Sequence, residues 1–278
     1  DAFTTGYQNV AVGYQAATDL TTGYYGTYLG VQAGQNVTTG NGNIFIGWQA
    51  GTSKTTQSNN IGIGYRAGIN DGGTMDVAIG YEAGANTTGG NNIGIGRSAG
   101  RGFNGVSEYG ATTGAQNVSI GTYAGMYLLG SNTTNIGTYA GYYATGSYNT
   151  FVGHSAGKGN SSAPFSSGQY NTAVGAYALD AFTVGGNNIA IGPYALTTLS
   201  TASNNMAIGY SAMQYTTTGG NTYNLAIGNY AMQYFTAGAT NNGQNTMVGH
   251  GAGKGSSGNT TGEFNTALGY NALNALTS

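Results

Sequence analysis

Fifteen times along the chain, an aliphatic residue is followed by a glycine, two variable residues and an alanine. The glycines are Gly13, Gly30, Gly47, Gly64, Gly80, Gly96, Gly121, Gly137, Gly153, Gly175, Gly192, Gly209, Gly228, Gly249 and Gly269, each preceded by Ile, Val or Leu. Four residues before the glycine stands Asn in twelve repeats, Asp76 in one, and Gly26 and Thr133 in the other two. Nine of the fourteen intervals between glycines are 16 or 17 residues, and the others run from 19 to 25. A unit this short cannot hold a helical pair, which takes roughly 30 residues or more. It suits one coil of a β-solenoid or β-roll, with two short strands and two corners. The expected fold is therefore all-β: a single repeat array over residues 1–278 of about fifteen coils, with insertions near 101–116, 158–169 and 233–244. At about 4.8 Å per coil the stack would extend on the order of 70 Å.

Each part of the phrase has a physical reading. In Asn188-Ile189-Ala190-Ile191-Gly192, Ile189 and Ile191 share one face of a strand by its two-residue period and are read as the core pair. The residue between them is small in most repeats: Ala at 11, 78, 173, 190, 207, 226 and 267, and Gly at 62 and 94. A strand with one wet face alternates apolar with polar; this one is apolar on both. Its second face is therefore expected to be covered, by another layer of the same chain or by another chain. Small residues suit close approach about a crowded axis, which leads to the expectation of a homotrimer. The repeat glycine ends the strand at a corner that excludes a side chain; Gly13, Gly47, Gly64, Gly80, Gly96, Gly121, Gly153, Gly192, Gly209 and Gly269 are read this way. The alanine fills a small inward site, and the Asn is expected to form a ladder from coil to coil.

Composition narrows the function. Charged residues are 5% of the chain and the formal net charge is −2, so no nucleic-acid partner is expected. No apolar run approaches the roughly 20 residues of a membrane span, so no membrane insertion is expected. Cysteine is absent, which removes disulfides and thiolate metal sites from the account. The chain opens in mid-phrase at Asp1-Ala2-Phe3 and is read as part of a longer protein. Gly62-x-Gly64 and Gly94-x-Gly96 lack the strand–helix unit and acidic partner of a dinucleotide loop, and Gly153-His154-Ser155-Ala156-Gly157-Lys158-Gly159 is one residue short of a phosphate loop. Asp71 with Asp76 is the nearest carboxylate pair, too few oxygens for a calcium site. No catalytic residue, metal site or cofactor is expected, and the chain is read as not an enzyme.

His154 and His250 each open a phrase His-x-Ala-Gly-Lys-Gly, read as an internal duplication with a surface histidine. Tyrosine is abundant, 23 in all, and many follow the repeat glycine, as do Tyr14, Tyr65, Tyr81, Tyr177, Tyr194 and Trp48. Such rings pack on the next coil or present a wall for sugars. Insertions escape the structural constraint of the repeat and commonly carry binding in solenoids. Phe103, Tyr109, Phe165, Tyr234, Phe235 and Trp48 are therefore the candidate ligand contacts.

Phrases such as Asn171-Thr172-Ala173-Val174-Gly175 and Asn265-Thr266-Ala267-Leu268-Gly269-Tyr270-Asn271-Ala272 resemble the repeats of phage-tail-fibre-like surface proteins. The pattern is also similar to the head repeat of trimeric autotransporter adhesins, a trimeric left-handed parallel β-roll. It departs from that head in having Ala where Ser is usual and a unit longer by two or three residues. The resemblance covers all fifteen repeats. It implies an extracellular fibre or adhesin segment, on a virion tail or cell surface, trimeric and offering contacts to a glycan or host receptor. A self-assembling extracellular filament or matrix subunit is the alternative reading, and an ice-binding solenoid a third.

Overall fold

A computed structural model describes residues 5–70, 72–102, 114–161, 165–216, 222–235, 243–256 and 262–274. The protein is an all-β parallel solenoid with one three-residue strand per coil and no helix among the described residues. Its residues fall into two compact units, Asp1–Thr138 and Tyr139–Ser278. The first contains β1 (Val10–Val12), β2 (Thr27–Leu29), β3 (Ile44–Ile46), β4 (Ile61–Ile63), β5 (Val77–Ile79), β6 (Ile93–Ile95), β7 (Val118–Ile120) and β8 (Thr134–Ile136). The second contains β9 (Thr150–Val152), β10 (Thr172–Val174), β11 (Ile189–Ile191), β12 (Met206–Ile208), β13 (Leu225–Ile227), β14 (Thr246–Val248) and β15 (Thr266–Leu268). Within each unit, successive strands pair in parallel at equivalent positions, as in Ile44↔Ile61 and Ile189↔Met206.

Among the described residues the second strand expected in each coil does not form, although an isolated parallel bridge pairs Ala144 with Ser166. After the corner the backbone turns, and two left-handed residues curl it: in the β11 coil these are Tyr194 at φ 62° and Leu196 at φ 52°. Coil-to-coil hydrogen bonds continue through this turn, from Gly34 N to Ala50 O at 2.8 Å and from Leu196 N to Ala212 O at 3.0 Å. The corner glycines have φ between +122° and +138°. At Gly192 a Cβ would also lie 2.6 Å from the carbonyl oxygen of Gly209, so conformation and close approach both demand glycine.

The strand faces the other way from the sequence-based expectation. The middle residue points into the coil: Ala173, Ala190, Ala207 and Ala226 are fully buried, as are Tyr28, Phe45, Phe151 and Met247 at the same place. The flanking aliphatic residues point out, and Ile44, Ile93, Val174 and Ile191 are each 36–38% exposed. The small middle residue is covered by its own coil, so it gives no argument for a second chain. The repeat alanine does fill an inward site, with Ala33, Ala50, Ala67, Ala195 and Ala212 all at 0% exposure.

Two inward positions share the interior volume. Where the middle residue is Ala (Ala173, Ala190, Ala207, Ala226), the residue four places after the corner glycine is Leu179, Leu196, Met213 or Met232, buried to 0% exposure. Where the middle residue is Tyr28, Phe45, Phe151 or Met247, that residue is Gly34, Gly51, Gly157 or Gly253, and a Cβ there would run into the larger side chain. Steric exclusion also explains why Asn is missing at Gly26: a side chain would enter the ring of Tyr28. Gly94 and Gly100 are small at both positions, with Ala78 and Gly84 beside them, and a buried void of about 20 Å³ lies there against Ser119 and Leu128.

The expected Asn ladder is present. Each side-chain Oδ1 accepts from the backbone N–H of its counterpart in the next coil: Asn188 to Asn171 at 3.0 Å, Asn205 to Asn188 at 3.0 Å and Asn224 to Asn205 at 3.1 Å. Buried amides satisfied in this way avoid a desolvation cost of roughly 1–3 kcal/mol each. Asp76 continues the ladder, accepting from Asn92 N at 2.8 Å, but brings a buried charge. Lys54, 1% exposed, places its Nζ 3.7 Å from Asp76 Oδ2 and donates to the carbonyl of Gly73 at 2.7 Å. A buried carboxylate is tolerated when a buried cation accompanies it.

Candidate functional site

The residue one or two places after the corner glycine stands at the coil edge, so successive coils stack these side chains into a column. In the second unit the column runs Tyr139, His154, Tyr177, Tyr194, Tyr210, Tyr230, His250, Tyr270, with neighbouring ring centroids 5.2–6.3 Å apart. In the first unit Trp48, Tyr65 and Tyr81 do the same, at 5.3 and 4.9 Å, and the Arg97 guanidinium lies between the rings of Tyr81 and Tyr123. Parallel pairs such as Tyr177 with Tyr194, 7° between planes, turn their faces to one another. Most other pairs of the second-unit column meet edge-on; Trp48 stands in the first-unit column, edge-on to Tyr65 at 74° and 55% exposed. Beside it runs an amide ladder, Gln32 to Gln15 at 3.1 Å and Gln49 to Gln32 at 2.9 Å.

One place on the second unit differs. Tyr142 and Tyr143 extend the column sideways: Tyr139 meets Tyr142 edge-on at 5.3 Å, and Tyr142 meets Tyr143 edge-on at 4.4 Å. Phe165 stacks on Tyr143 at 5.6 Å. These rings border a surface cleft of about 390 Å³ lined by Tyr139, Tyr142, Tyr143, His154, Ser155, Lys158 and Tyr177. A second cleft of about 190 Å³ is lined by Tyr143, Lys158, Gly159, Asn160, Ser161, Asp180 and Ala181. Tyr143 and Lys158 belong to both. Burial pushes the Asp180 carboxyl above the usual carboxylate range, while the charges of Lys158 and His154 pull it back. Its Oδ1 is buried without a hydrogen-bond partner.

The sequence candidates divide accordingly. Phe165 stands at the rim of this cleft. Tyr234 stacks on Tyr215 at 5.1 Å, away from it in the chain. Phe235, expected as a contact, is instead a core residue at 1% exposure, because its insertion starts only after that side chain has turned inward. Phe103 and Tyr109 lie outside the described residues, as does Asp71. The residues sequence reasoning missed are Tyr142, Tyr143 and Asp180. The adjacent pair Tyr142-Tyr143 was the available signal for the first two; nothing marked Asp180.

Among the described residues no three His, Cys, Asp or Glu side chains come together as a metal site would need, and no helix is long and apolar enough to cross a membrane. No protein-family model matches the chain, and comparison with characterised proteins and with solved structures finds no match.

Proposed function

We propose that the protein is a non-enzymatic structural segment of an extracellular fibre or adhesin, which associates with copies of itself and positions contacts for a surface receptor, a glycan being the favoured class. The observation that supports this reading is the outward strand face. All thirty outward positions of the fifteen strands are Val, Ile, Leu, Met or Thr, and none is charged. At the strand spacing of about 4.8 Å this makes an aliphatic strip on the order of 300 Å² on each unit, the size at which an exposed patch reads as an interaction surface. A strip of constant width, repeating at the coil period, is complementary to another copy set level with it. Three copies about a common axis would cover all three strips, in line with the trimeric repeats the sequence resembles. The fibre assignment and the extracellular location rest on that resemblance and on the sparsely charged, repetitive sequence.

Light scattering coupled to size exclusion tests the assembly. The expected mass is that of a trimer, and Ile191→Glu, placed on the third of the seven strands of the second unit, is expected to yield folded monomer. A monomeric parent protein would refute the reading. Ala190 is unsuitable for this test, because it lies inside the coil and its replacement would act on folding.

A further inference from the structure

The paired clefts of the second unit have a built-in comparison. The phrase His154-Ser155-Ala156-Gly157-Lys158-Gly159 recurs as His250-Gly251-Ala252-Gly253-Lys254-Gly255, and the backbone around the two is bonded alike. Tyr143 N donates to Lys158 O at 2.7 Å, as Tyr234 N donates to Lys254 O at 3.0 Å. Gly159 N donates to Asp180 O at 2.9 Å, as Gly255 N donates to Asn274 O at 3.1 Å. The coil therefore accepts a neutral amide at the place of Asp180. At the second phrase the lysine lies over an aromatic ring, its Nζ 5.0 Å from the centroid of Tyr230. At the first, Lys158 lines both clefts together with Asp180. The half-buried carboxylate at 180 is thus a departure from what the frame requires, and it shares its cleft with Tyr143, Asn160 and Ser161, while Tyr139, Tyr142 and Tyr177 line the adjoining one.

We propose that these adjoining clefts form a binding site for a neutral pyranoside of one or two rings. Asp180 accepts from sugar hydroxyls, Lys158 donates to another, and the tyrosine rings take the C–H face of the sugar. The inference rests on the receptor-contact part of the reading above. The charge arrangement selects a neutral ligand: an anion entering the site meets Asp180, and a cation meets Lys158. The larger cleft, about 390 Å³, lies in the range of small-molecule sites and the smaller one adjoins it, and hydroxyl bonds to charged partners are the strong class. Tyr142 meets both of its aromatic neighbours edge-on, at 77° to Tyr139 and 80° to Tyr143.

The test is saturation-transfer NMR on the full chain with methyl glucopyranoside, methyl galactopyranoside and methyl mannopyranoside at millimolar concentration, with glucuronic acid and choline as charged probes. At least one neutral glycoside is expected to bind. Lys158→Met and Asp180→Asn are expected to weaken it roughly tenfold or more, while Lys254→Met, in the duplicate phrase, leaves it unchanged. Asp180→Asn keeps the coil intact, since Asn274 occupies the equivalent place, and unchanged circular dichroism checks this. Absence of transfer to all three neutral glycosides, preference for a charged probe, or binding indifferent to Lys158→Met and Asp180→Asn would each overturn the proposal. The assembly mass is read separately, so a monomer that binds sugar refutes the fibre reading alone, and a trimer that does not refutes this one alone.

Discussion

Asp180 is the residue whose chemistry stands furthest from the repeat. Its carboxyl is held above the ordinary carboxylate range by burial, with Lys158 and His154 opposing. The folded protein therefore binds that proton more tightly than the unfolded chain does. Stability from this group falls as pH rises from the ordinary value through the raised one, and at neutral pH the charged form is a net cost. Asp180→Asn is thus expected to raise the melting temperature at pH 7 and to have little effect once the carboxyl is protonated in both states. A lower melting temperature at pH 7 would mean that attraction to Lys158 and His154 outweighs desolvation. Tyr28 shows the same physics without a function: its fully buried hydroxyl is pushed up to about 12, with Asn43 offsetting part of the effect.

At the scale of the coil, the middle strand residue and the residue four places after the corner glycine trade volume. Leu196, at φ 52°, occupies a backbone region that costs a side-chain-bearing residue about 1–2 kcal/mol; burial of its side chain holds it there. Leu196→Gly relieves that strain but opens a cavity, whose cost of about 2–5 kcal/mol dominates. Adding Ala190→Phe recreates the Phe151 and Gly157 pairing of the β9 coil. The double variant is expected to be more stable than Leu196→Gly alone, measured by urea unfolding. If it is less stable, the two positions do not share one space.

Over the whole molecule, stability in a repeat array is close to a sum of coil terms and neighbour terms, so a thin core marks the weak place. In the second unit the buried cluster runs from Ala140 to Ala267 and includes Phe151, Phe182, Leu196, Met213 and Met232. The coils of β4 to β6 have Gly62, Ala78 and Gly94 at the middle place, a cluster of only Ala67, Ala78 and Ala83, and the void beside Gly94. Local opening follows low packing. Amide hydrogen exchange is expected to be faster at Gly80 and Gly96 than at Gly192 and Gly209, although all four donate equivalent ladder bonds of 2.7–2.8 Å. Equal protection would show that the ladder bonds, rather than the core, set local stability.

The sequence by itself determined the coil length, the corner glycines, the inward alanine and the Asn ladder. Each is a local demand repeated at a fixed place, and repetition makes it visible: glycine where a Cβ would meet the next coil, Asn where an amide must serve both its own coil and the next. The tertiary structure alone decided which strand face is inside. A three-residue strand with apolar residues on both faces has a period of two either way up, so the pattern cannot tell Ile189 and Ile191 from Ala190 as the core side. The choice is set by the space left by Leu196, which reaches the interior from the far side of the same coil. The paired clefts were likewise illegible, because between them they join Tyr142, Lys158 and Asp180 from three successive coils, and only stacking brings them to one surface.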